Sequence, residues 1–319
     1  MAIPDQLEPT ISQPSTGTVL ALDVGGTRLK GAVLDAAGRS LADLTQATGA
    51  DAGPDEVVRR ILHTLVALRD LPEARDVGAA GLALPGLVDP VDGRAVWSEN
   101  IRWRDVPFQT LAEERLGLPV TVGHDVRACG LAEAQVGAAR GQKNVLVVPI
   151  GTGIAATIIT DGHVVDGRGL AGELGHLDVG YDEPCACGGT GCAEAVSSAA
   201  AIARRYSRRS GVNVEGAAEV LERKRDGDTV AVDVWAQAVD GLARAFAAAT
   251  TLVAPDMIVI GGGLALAGPD LFDPVEHQLR DRLTFQRMPT LVPAALGDRA
   301  GCIGAGILAR QRIEAGGRR

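Results

Sequence analysis

No other stretch restricts the fold of this chain as strongly as the glycine-rich segment between Leu170 and Glu194, where one histidine and three cysteines crowd together. The spacing is too tight for a packed helix or strand, and the glycines allow backbone angles that other residues reach only at a cost. Four such side chains suit one tetrahedral zinc ion. The sequence therefore predicts a structural zinc knuckle with the ligands His176, Cys185, Cys187 and Cys192.

A disulfide and a redox site are the alternatives for these cysteines. The chain has five cysteines, an odd number, and residues 1–17 have no positively charged segment of the kind that begins a secretory signal, so we expect free thiols and a cytoplasmic location. Cys185 and Cys187 also lack the Cys-x-x-Cys spacing of a thioredoxin-type site. Zinc binding is the interpretation that these observations favour.

Size and composition limit the classes of protein to be considered. A length of 319 residues exceeds what one hydrophobic core usually organises, so two lobes are expected. No apolar run reaches the length of a membrane span, and a net charge of -9 argues against nucleic acid as a partner. Four arginines fall at helical intervals, and we interpret them as a solvated surface: Arg204, Arg205, Arg208 and Arg209.

Short apolar strands that end in glycines occur twice. The first covers residues 18–23 and is followed at once by a second over 31–35, which predicts a tight antiparallel hairpin, extended by a third strand near 41–45. Strand, glycine loop and strand recur over residues 145–160. The two halves of the chain thus look like variations on one plan.

The remaining pattern predicts an α/β protein. Apolar residues at spacings of three and four predict an amphipathic helix over residues 54–68, which with a strand over 77–84 suggests a βαβ unit. Further helices are predicted over residues 108–116, 193–207, 214–225, 229–253 and 303–313, and further strands over 119–122 and 256–260. We expect a disordered leader over 1–17, a smaller lobe over 18–122 plus 297–319, and a larger lobe with the zinc site over 123–296.

Three glycine loops follow predicted strands. They match neither the Walker A motif nor Gly-x-Gly-x-x-Gly, but glycines let backbone amides approach an anion closely. A hairpin or a strand-to-helix turn also favours glycine, and this alternative stays open. As nucleotide loops they would consist of Gly25, Gly26 and Thr27, of Gly151, Thr152 and Gly153, and of Gly261, Gly262 and Gly263. Asp23, before the first loop, either holds a water of a magnesium ion or is a paired carboxylate at a strand end.

The candidate general base is Asp125, at the end of a predicted strand. Phosphoryl transfer to an alcohol needs alignment, charge neutralisation and one acceptor for the hydroxyl proton, so one carboxylate suffices. The groups suited to hydrogen bonding a polyol are Asn100, Glu173, His176 and Glu194. His176 is expected to bind zinc through one ring nitrogen and the sugar through the other.

These segments resemble the ROK family of sugar kinases and sugar-responsive repressors over most of the chain. The resemblance is carried by residues 23–27, 85–89, 99–103, 172–176 and 185–192. It implies an actin-like, ribonuclease-H-type fold of two lobes that closes on ATP, magnesium and a hexose, most simply glucose, and phosphorylates the 6-hydroxyl. It implies that Asp125 is the base, that zinc binds its four ligands, and that the sugar is lined by Gly86, Asn100, Glu173, His176 and Glu194. We also expect a homodimer or homotetramer.

One position departs from the family pattern, because His124 stands where family kinases usually have an asparagine that meets sugar hydroxyls near C3 and C4. We include His124 among the sugar contacts, and an amino or otherwise modified hexose is the alternative to glucose. Residues 29–32 resemble polyphosphate glucokinases, so polyphosphate is the alternative donor. A non-catalytic sugar-sensing regulator is the alternative from another class. Family repressors carry a helix-turn-helix ahead of the first loop, where this sequence has seventeen residues, so we expect a kinase.

Overall fold

The computed structural model describes residues 17–316, so the predicted leader lies outside the described residues except for Gly17. The strands are β1 (Thr18–Val24), β2 (Arg28–Leu34), β3 (Ser40–Ala47), β4 (Val77–Leu84), β5 (Leu87–Asp89), β6 (Arg94–Trp97), β7 (Arg104–Val106), β8 (Val120–His124), β9 (Val145–Pro149), β10 (Thr157–Thr160), β11 (His163–Val165), β12 (Met257–Gly261) and β13 (Thr290–Pro293). The helices are α1 (Pro54–Arg69), α2 (Phe108–Leu116), α3 (Asp125–Val136), α4 (Ala193–Ser197), α5 (Ala199–Ser210), α6 (Ala217–Arg225), α7 (Thr229–Val253), α8 (Pro269–Arg282) and α9 (Ala300–Gly316).

The described residues fall into two compact units. The first comprises the described residues up to Ala128, the short stretch Ile159–Val164, and those from Gly301 onward. The second comprises Cys129–Ile158 and Val165–Ala300. The lobe boundaries given above stay a prediction.

The first unit is built on a five-stranded sheet with the order β3-β2-β1-β4-β8. β2 is antiparallel to β1 and β3 is antiparallel to β2, which confirms the predicted hairpin and its extension. β4 runs parallel to β1, and β8 runs parallel to β4, so these three strands end at the same edge. At that edge Asp23 pairs with Ala83, which pairs with Gly123. The candidate base Asp125 follows two residues later.

Side chains alternate between the two faces of this sheet, as the period of a strand requires. On β1, Leu20 and Leu22 face a core that includes buried side chains of α1 and α2. The opposite face carries small residues and packs against α9, through the side chains of Val19, Ala21, Ala79, Ala83, Ala305 and Ala309. Small side chains let the helix backbone come close to the strands.

Gly81, in the centre of β4, marks the closest approach of α9. A Cβ atom there would lie 1.8 Å from the carbonyl oxygen of Ala305, a backbone atom that cannot rotate away. Gly81→Ala is therefore expected to lower the free energy of unfolding by about 1–3 kcal/mol or more, measured by chemical denaturation. Gly26→Ala is the matched control in the same unit, because a Cβ there meets nothing within 4 Å. Equal denaturation midpoints for the two variants would contradict this packing.

The second unit contains most of the helices. Another five-stranded sheet has the order β11-β10-β9-β12-β13; β9, β12 and β13 lie in the second unit, and β12 is parallel to both β9 and β13. The long helix α7 begins at the N-cap Asp228, whose carboxylate accepts from two backbone amides, and buries Trp235 and Phe246. None of the described helices is long and apolar enough to cross a membrane.

The prediction of one helix over residues 193–207 is wrong, because the chain breaks at Ser198. This residue has extended backbone angles and its hydroxyl accepts from the amide of Ala201 at 3.1 Å, so it acts as the N-cap of α5. A serine that caps a new helix competes with continuation of the old one. The result is a separate one-turn helix, α4.

Candidate active site

Asp125 is the first residue of α3, directly after β8, and its side chain is 30% exposed. One carboxylate oxygen, Oδ1, accepts from the amide of Val126 at 2.7 Å and lies 3.4 Å from Nδ1 of His124. Burial, reinforced by the negative charge of Asp23, raises the pKa of Asp125 to about 7. The carboxyl group is thus able to bind and release a proton near neutral pH.

His124 lies beside this carboxylate but carries no charge near neutral pH. Burial, assisted by the positive charge of Arg127, lowers the pKa of His124 to about 3. Its Nδ1 atom is buried and has no hydrogen-bond partner among the described residues. A neutral imidazole therefore lies beside the carboxylate of the candidate base.

The first glycine loop is the tight turn between β1 and β2. The amide of Gly25 donates to Arg28 at 2.9 Å, which closes the turn. Thr48 is fully buried and stabilises this turn. Its hydroxyl donates to the carbonyl oxygen of Gly25 at 2.6 Å, and its amide donates to the carbonyl oxygen of Thr27 at 3.0 Å. Sequence reasoning missed Thr48, because nothing local distinguishes a bracing threonine from an ordinary strand end. The space beside Gly26 is open, because a Cβ atom there would have no neighbour within 4 Å.

Asp23 sits directly before this loop, against the first turn of α9. A Cβ on Gly301 would lie 2.5 Å from the carboxylate of Asp23, so only glycine admits this contact. The N-terminal end of a helix carries partial positive charge and is favourable for an acid. The position is therefore favourable for an acidic side chain.

Asn100 is exposed at the tip of a tight turn between β6 and β7. The amide of Arg102 donates to the carbonyl of Ser98 at 2.8 Å, and the flanking residue Trp103 is buried. Gly86 has a φ of 89°, and a Cβ there would lie 2.2 Å from the carbonyl oxygen of Trp97. Glycine is thus required where the chain leaving β4 meets the strand that leads to Asn100.

In the second unit, the parallel strands β9 and β12 bring the other two glycine loops side by side. The amide of Ile150 donates to Gly261 at 2.9 Å, and that of Leu264 donates back to Ile150 at 3.1 Å. Gly262 has a φ of 75°, and a Cβ there would lie 2.4 Å from the carbonyl of Ile150. Two adjacent loops at the carboxyl ends of parallel strands form the kind of crevice edge that binds ligands in α/β proteins.

The predicted sugar-binding acid Glu194 bonds directly to the chain after Gly153. Its Oε2 atom accepts from the amide of Ile154 at 2.8 Å, and a Cβ on Gly153 would lie 2.5 Å from the same oxygen. The carboxylate is therefore held against the loop of Gly151, Thr152 and Gly153 by a charged hydrogen bond.

Two glycines fix the segment that carries Glu173 and His176. A Cβ on Gly172 would lie 1.9 Å from the carbonyl of Ala156, and one on Gly175 would lie 2.1 Å from the carbonyl of Ile154. The segment thus lies backbone to backbone along residues 154–156. Glu173 lies between these two glycines in the sequence and is exposed, and its Oε2 atom is 3.9 Å from Nε2 of His176.

The four predicted metal ligands come together in the second unit. Their ligand atoms all lie within 4.8 Å of one another, with Nδ1 of His176 3.9 Å from the sulfur of Cys185, and the sulfurs of Cys187 and Cys192 3.6 Å apart. Zinc bonds of about 2.0–2.3 Å in a tetrahedron imply comparable separations between ligand atoms. The cluster could hold a zinc ion, with Nε2 of His176 left for another partner.

The thiol chemistry of this cluster also suits a metal. The backbone amide of Gly189 lowers the pKa of Cys187 to about 7, whereas burial and the neighbouring thiols raise that of Cys192 to about 12. One sulfur is thus partly ionised near neutral pH and another keeps its proton. A bound zinc ion would replace that proton and stabilise all three thiolates together.

The interpretation of the arginine cluster as a solvated surface is wrong for one member. Arg205 is 2% exposed and donates from Nε to Glu183 at 3.1 Å. The helical spacing indicated one face of a helix, but it gave no sign that α5 buries part of that face against the segment that contains Glu183.

Comparison with known proteins agrees with this geometry. Residues 19–312 match the ROK family. A glucokinase from Thermotoga maritima is 33% identical, over 92% of this chain and 98% of that protein. A ROK hexokinase structure from Thermus thermophilus has 32% identity and a TM-score of 0.83, covering 93% of this chain and 99% of that one. A ROK glucokinase structure from Streptomyces griseus, solved with glucose and AMPPNP, has 31% identity and a TM-score of 0.77, covering 92% of this chain and 100% of that one.

The fold is therefore the actin-like α/β fold of ROK sugar kinases, as predicted. The chain belongs to the ROK family, and it is a sugar kinase.

Proposed function

We propose that this protein transfers the γ-phosphoryl group of ATP to the 6-hydroxyl of a hexose, with glucose as the first candidate and Asp125 as general base. The observation that carries the proposal is the position of Asp125 at the strand edge beside Asp23, where its pKa is about 7. A general base works best when its pKa lies near the working pH, because it is then ionised yet basic enough to take a proton.

In the proposed step, the 6-hydroxyl oxygen attacks the γ-phosphorus while its proton passes to a carboxylate oxygen of Asp125. The bond between the γ-phosphorus and the bridging oxygen breaks, and ADP leaves with the electron pair. Phosphoryl transfer needs little else from a protein than alignment and charge neutralisation. His124 is uncharged near pH 7, so it does not hold the proton-accepting carboxylate in an ion pair.

The nucleotide contacts proposed here are Asp23 and the three glycine loops. Asp23 is a carboxylate beside an open glycine turn, which suits a group that binds a water of a hydrated magnesium ion. Magnesium bound with ATP would neutralise charge on the phosphates. The backbone amides of the loops would receive phosphate oxygens.

The proposed sugar contacts are Gly86, Asn100, His124, Glu173, His176 and Glu194. Zinc supports His176 indirectly, because it would fix the imidazole ring through Nδ1 and leave Nε2 to donate to a hydroxyl.

A modified hexose is the second candidate substrate, and His124 favours it. Its side chain is 13% exposed, and a neutral imidazole either donates or accepts through a ring nitrogen according to its tautomer. It could therefore recognise an amino or acetamido group as well as a hydroxyl.

A coupled assay of ADP release tests the proposal directly. The panel contains glucose, mannose, glucosamine and their N-acetylated forms, with ATP or polyphosphate as donor, and the product is analysed for the 6-phosphate. We expect one hexose to exceed the others in kcat/KM by about tenfold or more. Sugar binding without phosphorylation of any hexose by either donor would reject the proposal in favour of a sugar-sensing regulator. A cytoplasmic location and a homo-oligomeric state stay predictions.

The pKa of Asp125 predicts the pH dependence of turnover. Because this pKa is raised to about 7, the carboxyl group is protonated below that pH and cannot accept the hydroxyl proton. We expect kcat to be level above pH 8 and to fall about tenfold per pH unit well below pH 7. A kcat profile that stays level down to pH 5, measured at saturating sugar and nucleotide, would contradict the role of Asp125.

A further inference from the structure

One buried arginine contacts both ends of the segment that carries the three cysteines. Nε of Arg205 donates to the carboxylate of Glu183 at 3.1 Å, and Nη1 donates to the carbonyl oxygen of Val196 at 3.0 Å. Glu183 comes just before the first of the cysteines and Val196 just after the last. A single guanidinium group therefore joins the two ends of residues 183–196, which we name the zinc segment.

Helix α4, within this segment, depends on outside support. It has five residues, and so short a helix is not stable by itself. The last carbonyls of a helix also need donors from elsewhere. Arg204 donates to Ala195 at 3.3 Å and Arg205 donates to Val196, so two arginines of α5 cap the end of α4. The N-cap residue of α4 is Cys192, one of the candidate zinc ligands.

The guanidinium group of Arg205 is itself fixed by its surroundings. Nη2 donates to Gln237 of α7, the long helix in the core of the second unit. Glu183, whose side chain is 12% exposed, also accepts from Arg208 at 2.6 Å, and its backbone carbonyl accepts from Gly191 at 2.9 Å. Planar guanidinium donors suit such simultaneous bonds, which the single ammonium of lysine does not reproduce.

We propose that Arg205 is a positioning residue that clasps the zinc segment onto α5 and α7 and thereby holds Glu194 against the amide of Ile154. The assignment of Glu194 to sugar binding rests on the proposed function. Zinc would bind the cysteines in the middle of the segment, whereas Arg205 hydrogen-bonds to residues at its two ends. The bonds of Arg205 restrict the conformations of the segment, so less conformational entropy is lost when zinc binds. Without Arg205 the segment is more mobile and zinc is retained less well.

The test compares Arg205→Met with Arg209→Met in the full chain. Arg209 lies on the same helix and pairs with Asp233, which is 63% exposed. For Arg205→Met we expect zinc release to a chromogenic chelator to be about tenfold faster or more, as for other residues that support metal ligands. Amide hydrogen exchange should quicken within residues 183–196, and the KM for hexose should rise about tenfold while kcat changes less than about twofold. Arg209→Met should match the unaltered protein.

Two further variants, Arg205→Lys and Glu183→Gln, complete the test. Arg205→Lys should recover part of the zinc retention, because it keeps the charge beside Glu183 but cannot bond all three partners. If Arg205→Met does not fold, Glu183→Gln replaces the charged hydrogen bond at one end of the segment by a weaker neutral one at nearly constant size, and is expected to change zinc release, exchange and KM in the same direction by a smaller amount. If zinc release and hydrogen exchange are unchanged in Arg205→Met, Arg205 does not hold the zinc segment in place. If both become faster while the KM is unchanged, Arg205 does not position Glu194. If no hexose is phosphorylated the proposed function fails, whereas zinc release and exchange still decide the role of Arg205.

Discussion

Replacing Asp125 by asparagine should reduce kcat by about 10²- to 10⁴-fold while leaving the affinity for hexose nearly unchanged. The substitution keeps the shape of the side chain and the bond from the amide of Val126, but an amide oxygen does not accept a proton near neutral pH. Sugar affinity, measured by isothermal titration calorimetry, should therefore persist while ADP release is almost lost. The remaining activity should also lose the fall in kcat below pH 7.

Stability provides the control for this variant. Burial raises the pKa of Asp125 to about 7, above the ordinary value for aspartate, so the free energy of unfolding falls as the pH rises from that ordinary value to about 7, and the full cost of the buried carboxylate is present at pH 8. An uncharged asparagine avoids this cost, and Asp125→Asn should unfold at a temperature no lower than the unaltered protein at pH 8. A stable variant with full turnover would remove Asp125 from the role of base.

The second large effect is expected from Cys192→Ser, which should lose the bound zinc and raise the KM for hexose by about tenfold or more. Cys192 is 4% exposed and is also the N-cap residue of α4. Serine is a favoured N-cap, so the start of the helix is preserved and the change isolates the missing metal ligand. Elemental analysis should find about one zinc per chain before the substitution and almost none after it.

Cys129→Ser is the matched control for this experiment. Cys129 lies in α3 and is not a member of the metal cluster, so the same chemical change there should leave both the zinc content and the KM as they were. If the unaltered protein is metal-free and stable, or if Cys192→Ser binds hexose normally, the zinc segment does not support the sugar site as proposed.

Several parts of the fold follow from local patterns alone. The helix predicted over residues 54–68 is α1, and the one over 229–253 is α7, because apolar spacings of three and four extend over several turns in each. The antiparallel order of β1 and β2 was predictable because a short glycine turn leaves the chain no other way to pair. The four metal ligands were predictable because they lie close together in the sequence.

The contacts that organise the site depend on residues far apart in the chain. Thr48 supports the turn at Gly25, and Glu194 accepts from the amide of Ile154. Neither partner carries a local signal, because a buried threonine or a loop amide looks the same in sequence whatever it bonds to. The helix α8 was also not predicted, since Pro274 in its interior conceals the apolar spacing.

Local sequence shows which side chains are available: a glycine turn after Asp23, a carboxylate at the end of a strand, and four candidate metal ligands close together. Their charge and exposure depend instead on the folded chain. Burial of Asp125 beside Asp23 brings its pKa to about 7, and the packing of α5 turns Arg205 from an apparent surface residue into one that is 2% exposed. The reason is physical: spacing along the chain governs local geometry, whereas desolvation and charge depend on what the folded chain brings alongside.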